Sequence, residues 1–297
     1  MGHRTTTARS GGAVDVSYMV GHLLRRAHQV HHALWTEEVG AVLTSPQFAA
    51  LDVVASAGDL GVDQGTVGVH AALDRSTVAG VVQRLQDQCW ITRTPDPLDG
   101  RRRVLRATAP SMLALTALEE PVERVQRRLL GNLTEDEAGE LMRLLEQLSC
   151  APGNAADRPG HLIRRAQQRH TALWAEELHG ELTGPQFAVL GLLHQHGPQV
   201  QGSLAARAGL DRSTASDVLA RLQRRGLTHR SGVPGDARAR QVDLTAEGRD
   251  VAVQAAPAAH RVQERLLEPV VPSGRAAVTR LLGALVRGGE APPSSSS

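Results

Sequence analysis

The chain contains no lysine: all 33 of its Lys-plus-Arg side chains are arginine. Arginine's planar fork suits phosphate and guanine edges, although a GC-rich coding sequence would give the same bias. An excess of one charge is also missing. The 31 acidic residues leave a net charge of +2, so any affinity for nucleic acid must come from local patches. Two cysteines, Cys89 and Cys150, give no disulfide framework and fit a reducing compartment. No apolar run approaches the ~20 residues needed to span a bilayer, and no signal-peptide core is visible, so a cytoplasmic protein without a membrane part is expected. Gly-x-Ser-x-Gly and a phosphate-cradling glycine loop are both absent. That argues against an enzyme, and no cofactor is expected. At 297 residues, about two domains fit.

What is present is present twice. Gly21-His22-Leu23-Leu24-Arg25-Arg26-Ala27 returns 139 residues on as Gly160-His161-Leu162-Ile163-Arg164-Arg165-Ala166. Ala33-Leu34-Trp35 returns as Ala172-Leu173-Trp174, and Leu43-Thr44-Ser45-Pro46-Gln47-Phe48 as Leu182-Thr183-Gly184-Pro185-Gln186-Phe187. Between Asp74 and Asp211 the offset is 137, so the second copy is two residues shorter in between. A period this long marks a duplicated domain, not a solenoid. The expected organisation is a disordered leader over 1–16, repeats over 17–149 and 158–287, a linker over 150–157 and a disordered tail over 288–297.

Each repeat is organised around Leu-Asp-Arg-Ser-Thr. Leu73–Thr77 leads into Val78, Val81, Val82 and Leu85; Leu210–Thr214 leads into Ala215, Val218, Leu219 and Leu222. That spacing makes one helical stripe, and the Asp can accept the free N–H groups of the first turn. The turn then presents Arg75, Ser76 and Thr77, or Arg212, Ser213 and Thr214, outward. This is the layout of a recognition helix, whose first turn reaches base edges in the major groove. Arg84 and Arg221 lie further along, where phosphate is the expected contact. A long helix from about Ser17 to Gly40, a Thr-x-Pro helix start at Pro46 or Pro185 and a short helix precede the motif. After it, Ile91–Thr94 and Arg103–Arg106 flank a Pro-, Asp- and Gly-rich loop, as Leu227–Arg230 and Arg240–Leu244 do in copy two. Each reads as a hairpin. Two more helices close each copy. The fold class is mainly α with small β-hairpins: two helix-turn-helix modules with wings, about 45–108 and 184–245, plus an all-helical part.

These motifs, in this order and twice over, resemble the MarR family of winged-helix regulators, and the resemblance covers nearly all of both copies. It implies DNA as the partner and outer helices that form a dimer interface. The chain would then be a covalent pseudo-dimer on a pseudo-palindromic operator, with a dimer of such chains as the alternative. It also implies that Asp99 with Arg101, and Asp236 with Arg238, match the family's Asp-x-Arg, in which the Asp holds an Arg that enters the minor groove. Arg103 and Arg240 begin the following strands beside them. Copy two departs from the pattern: Gly80, Gly100 and Arg102 become Asp217, Ala237 and Ala239, so the two halves need not bind equally. At the helix end Cys89 stands where copy two has Gly226, the residue usual there. A one-sided regulator, a protein-interaction module, or a metal- or redox-sensing regulator are the competing readings.

The scarce aromatics, three Trp, two Phe and one Tyr, are themselves duplicated: Trp35 with Trp174 and Phe48 with Phe187. Arg25 and His31 recur as Arg164 and His170. At 100° per residue, Arg25, His31 and Trp35 fall within roughly 120° of one another, opposite Leu23, Ala27, Val30 and Leu34. A cation, an imidazole and an indole can bind a small aromatic carboxylate or phenolic effector. This helix also resembles the first helix of MarR members that sense aromatic acids, which implies that such an Arg contacts ligand. His28 and His32 sit i, i+4 as in zinc-binding helices, but copy two has Gln167 and Thr171 there, so no metal site is expected. Cys89 as a redox switch has no doubled partner; a small buried thiol explains it as well.

Overall fold

The structure is a computed structural model that describes residues 19–96, 99, 102–150, 158–233 and 236–289, with the backbone alone at 233 and 236–239. Arg101 therefore lies outside the described residues, as do the side chains of Asp236 and Arg238 and nearly all of the expected leader, linker and tail.

The described residues form twelve α-helices, a short 3-10 helix (Gly58–Leu60) and two three-stranded sheets. The first set is α1 (Val20–Glu38), α2 (Ser45–Ser56), β1 (Val62–Asp63), α3 (Gln64–His70), α4 (Arg75–Asp87), β2 (Ile91–Pro95), β3 (Arg103–Ala107), α5 (Ala109–Leu130) and α6 (Glu135–Ser149). The second is α7 (Pro159–Leu178), α8 (Gly184–His196), β4 (Gln199–Val200), α9 (Gln201–Arg207), α10 (Arg212–Arg224), β5 (Thr228–Val233), β6 (Asp236–Leu244), α11 (Ala246–Leu267) and α12 (Pro272–Gly289). The sheets run β1-β3-β2 and β4-β6-β5, all antiparallel. Each hairpin thus gains a two-residue third strand that the sequence pattern does not announce.

Local chemistry accounts for the helix starts. Thr44 and Thr183 form capping boxes with Gln47 and Gln186, and Pro sits in the first turn, where its missing N–H costs nothing. Asp74 and Asp211 cap α4 and α10 as expected. Val78, Val81, Val82 and Leu85 are buried, as are Ala215, Val218, Leu219 and Leu222.

Two compact units emerge, and they cut across the repeats. One, the α4 unit, gathers Val30–Gln168 with residues from Ala284 on; the other, the α10 unit, gathers residues through Gln29 with Arg169–Gly283. So α1 gives its N-terminal half to the α10 unit, and α7 gives its N-terminal half to the α4 unit. Within the α4 unit, Glu37 and Glu38 at the end of α1 pair with Arg128 on α5, and Glu38 also with Arg124. Within the α10 unit, Glu176 and Glu177 pair with Arg265 and Arg261 on α11. The repeated Glu-Glu therefore docks each first helix against the helix that follows the wing.

Cys89 ends α4 with φ +57°, where Gly226 ends α10 with φ +71°. Its thiol is exposed, which corrects the expectation of a buried one. A left-handed conformation costs a non-glycine residue ~1–2 kcal/mol, partly offset by glycine's greater freedom when unfolded. Cys89→Gly is expected to stabilise the protein by about 1 kcal/mol, raising Tm by about 2–4 °C in thermal unfolding. A lower Tm would contradict this account.

Candidate functional site

In the α4 unit, the first turn of α4 is fully presented, with Arg75, Ser76 and Thr77 exposed, and Arg84 in the last turn is exposed as well. The Asp74 carboxylate accepts the backbone N–H groups of Ser76 and Thr77 and also their hydroxyl protons. Those hydroxyl bonds, with the backbone N–H of Thr77, hold Asp74 well below the usual carboxylate range. Ser76 and Thr77 thus turn only lone pairs outward, which restricts them to accepting from base amino groups. In the wing, Asp99 and Arg103 are exposed. Arg102 reaches back to Asp63, the N-cap of α3, at 3.1 Å.

In the α10 unit the same turn recurs, with Arg212 and Ser213 exposed and Thr214 half-buried, and Arg221 is exposed in the last turn. Ser213 and Thr214 give their hydroxyl protons to Asp211, whose pKa falls to about 2 through those two bonds first. Arg212 and the exposed wing residue Arg240 line one open hollow between α9, α10 and β6. Asp217 is exposed on the outer face of α10.

The second candidate site is a cleft in the α4 unit of about 500 Å3, its open mouth included. Its lining holds His31 and Trp35 from α1, Ser45, Phe48 and Asp52 from α2, and His161 and Arg164 from α7, with Arg158 just ahead of that helix. Trp35 and Phe48 make a tilted pair with centroids 5.4 Å apart, and the Trp35 indole donates to the Leu43 carbonyl at 2.7 Å. Arg164 is buried. It donates from Nη2 to the Ala71 carbonyl at 2.8 Å, at the C-terminus of α3, and from Nη1 to the Ser45 hydroxyl at 3.2 Å; its buried Nε has no partner. Gln168 donates to the next carbonyl, that of Ala72, at 2.7 Å. Arg164, which lines the cleft, thus also holds the turn that leads into α4.

The α10 unit contains the counterpart: Met19, His22, Arg25, His170, Trp174, Gly184 and Phe187 line a pocket of about 220 Å3, its open mouth included. Arg25 donates from both Nε and Nη2 to the Ala208 carbonyl at the end of α9. Arg25 and Arg164 are both lowered to about 10 by burial, and remain charged at neutral pH.

The expectation that Arg25, His31 and Trp35 of one helix act together is corrected here. The structure joins Arg164 with His31 and Trp35, and Arg25 with His170 and Trp174. Ten residues of helix separate Arg25 from Trp35 by about 15 Å along the axis. Angular position on one arc therefore does not bring them to one small ligand. The structure also adds residues the sequence argument missed. His22 and His161, part of the repeated Gly-His pair, stand against Arg25 and Arg164 at 3.1 and 3.2 Å. The arginine must be the donor, so each ring accepts on Nδ1. Burial first, then the neighbouring arginines, lowers both histidines to about 3; burial and Arg25 do the same for His170.

A buried-core helix-turn-helix followed by a wing, built twice, defines a winged-helix protein of the DNA-reading type. The sequence profile of the MarR family matches residues 43–102 and again 182–239. The HTH-type transcriptional repressor NicR of Pseudomonas putida is 32% identical over 140 residues, which span 47% of this chain and 89% of that protein. Transcriptional regulator HosA of Escherichia coli is 38% identical over 107 residues, 36% of this chain and 78% of HosA. Among solved structures, the PcaV transcriptional regulator of Streptomyces coelicolor in complex with its natural ligand is 38% identical over 42% of this chain and 89% of that one, with a TM-score of 0.40. The chain belongs to the MarR family, as a tandem member carrying two copies of the family's domain. Its relatives are named as transcriptional regulators, in keeping with the expectation that it is not an enzyme. Among the described residues, no helix is long and apolar enough to cross a membrane.

Proposed function

We propose that this chain is a sequence-specific, cytoplasmic transcriptional repressor in which one polypeptide does the work of a two-subunit regulator, released from DNA by a small aromatic acid. The observation that carries the reading is the Asp-capped Arg-Ser-Thr turn, presented in both units at the start of a helix whose apolar stripe is buried. Two such helices address two half-sites about one helical turn, ~10 bp, apart. Arg75 and Arg212 read base edges; Arg84 and Arg221 contact phosphate; Arg103, Arg240 and the Asp-x-Arg pairs Asp99/Arg101 and Asp236/Arg238 serve the wings. Repression follows the name of NicR. The exposed Asp217 repels phosphate and makes the α10 half the weaker one.

Release works through the buried arginine. A carboxylate that pairs with Arg164 competes with the Ala71 carbonyl for its guanidinium, and that carbonyl belongs to the turn feeding α4. Coupling of ~3 kcal/mol between the two sites changes operator affinity by over a hundredfold.

The test is retardation of DNA from upstream of the gene's own start, at rising salt. A specific complex that loses about 10³–10⁵ in affinity between 50 and 200 mM salt is expected for 6–10 phosphate contacts. No retardation at any salt would favour an interaction module and overturn this function.

A further inference from the structure

The two arginine pockets share a plan but differ in state. In the α4 unit, Arg164 keeps a buried donor, Nε, without a partner, whereas in the α10 unit Arg25 has spent the same atom on the Ala208 carbonyl. In the α4 unit, the Trp35 indole N–H is turned away to Leu43; in the α10 unit, the Trp174 N–H goes to His170 Nε2 at 2.8 Å, which takes up that ring's acceptor. Gly184 stands where the α4 unit has Ser45. A Cβ there would meet the Trp174 indole nitrogen at 3.2 Å, so the ring occupies the space its counterpart leaves to a side chain. Arg158 lies 5.3 Å over the Phe48 ring and pairs with Asp52 at 3.1 Å. Its counterpart is Met19, and that of Asp52 is Gly191. The enclosed space differs in the same direction, about 50 Å3 against about 10 Å3.

We propose that the protein has one working effector site per chain, the α4-unit cleft centred on Arg164, and that the pocket around Arg25 is a self-filled structural copy. The inference rests on the effector reading above. The site takes an aromatic monocarboxylate: the carboxylate meets the free Nε edge of Arg164, and the ring lies against Trp35 and Phe48 beneath Arg158. One binding event then works the α4 half directly, so release is hyperbolic in effector and not sigmoidal.

Calorimetric titration of the full chain with benzoate, 4-hydroxybenzoate and 6-hydroxynicotinate, with cyclohexanecarboxylate as the non-aromatic control, tests this. One aromatic acid per chain is the expected result. Two per chain would overturn the one-site inference while leaving the effector reading standing; no binding by any of the acids would overturn both. Arg164→Ala can fail to fold because it strips the Ala71 carbonyl. The locating variant is therefore Arg158→Met, which installs the residue of the filled pocket at a partly exposed position. It is expected to weaken binding at least tenfold, and unchanged affinity would remove the site from the α4 unit.

Discussion

Alanine at both Arg75 and Arg212 is expected to weaken binding to the specific operator by between about thirtyfold and about twenty-thousandfold. Both side chains are exposed at the first position of a recognition helix. A good bidentate arginine–guanine pair is worth ~1–3 kcal/mol of discrimination, and ~1.4 kcal/mol is tenfold. Binding to non-specific DNA changes far less, because phosphate contacts elsewhere carry it. The two arginines are not equal. Arg75 shares its helix with Gly80, Arg212 with the exposed Asp217, so Arg75→Ala alone costs more than Arg212→Ala alone. Arg84→Ala behaves differently: it weakens all sequences alike and lowers the salt slope by about 0.9, the share of one phosphate. Fluorescence anisotropy with operator and scrambled duplexes separates these effects. Operator affinity within threefold of wild type for the double variant would remove the Arg-Ser-Thr turns from the interface.

How much of this was legible in the sequence depends on the range of the interaction. The Thr44–Gln47 box, the Asp74 cap and the left-handed position shared by Cys89 and Gly226 are settled within four residues of chain, so a pattern reveals them. The repeat makes each visible twice. Strand β1 has two residues, and its pairing of Val62 with Leu105 reaches over 40 positions, so nothing local marks it. The same limit explains the misassembled pocket. Helical periodicity sorts Arg25 and Trp35 round an axis, but it cannot tell that Arg164 arrives from elsewhere in the chain to stand beside Trp35. A signal was there. Gly21 and Gly160 recur with no turn to need them, and a Cβ at either would lie 2.0 or 2.2 Å from an imidazole nitrogen, that of His170 or of His31. Glycine inside the first turn of a helix, doubled and at negative φ, marks a close approach. The two histidines so seated are members of the very pockets that the exchange creates.

Those histidines give the second large effect, a loss of stability in mild acid. His22, His161 and His170 are all held down to about 3, burial being the main cause in each. The unfolded chain takes up protons on them from pH 6.5 downward, while the folded chain stays neutral there until about pH 3. Proton uptake by the unfolded state alone drains stability as pH falls, by ~1.4 kcal/mol per pH unit for each group well below 6.5. From neutrality to pH 5 that is about 2 kcal/mol per histidine, so about 6 kcal/mol in all, against a typical domain stability of 5–15 kcal/mol. The paired carboxylates cannot produce this. Asp74, Asp211, Glu38 and Glu177 are shifted down from ordinary values of 3.8 or 4.5, so their contributions survive until pH falls below those values. The interval between pH 6.5 and 5 belongs to histidine. Urea unfolding at half-unit steps of pH is expected to show a steep fall starting near 6.5. His22→Gln should flatten the slope by about a third. A stability profile that is level to pH 5 would mean that these rings are charged or solvated, and that Arg25 and Arg164 do not sit against neutral imidazoles.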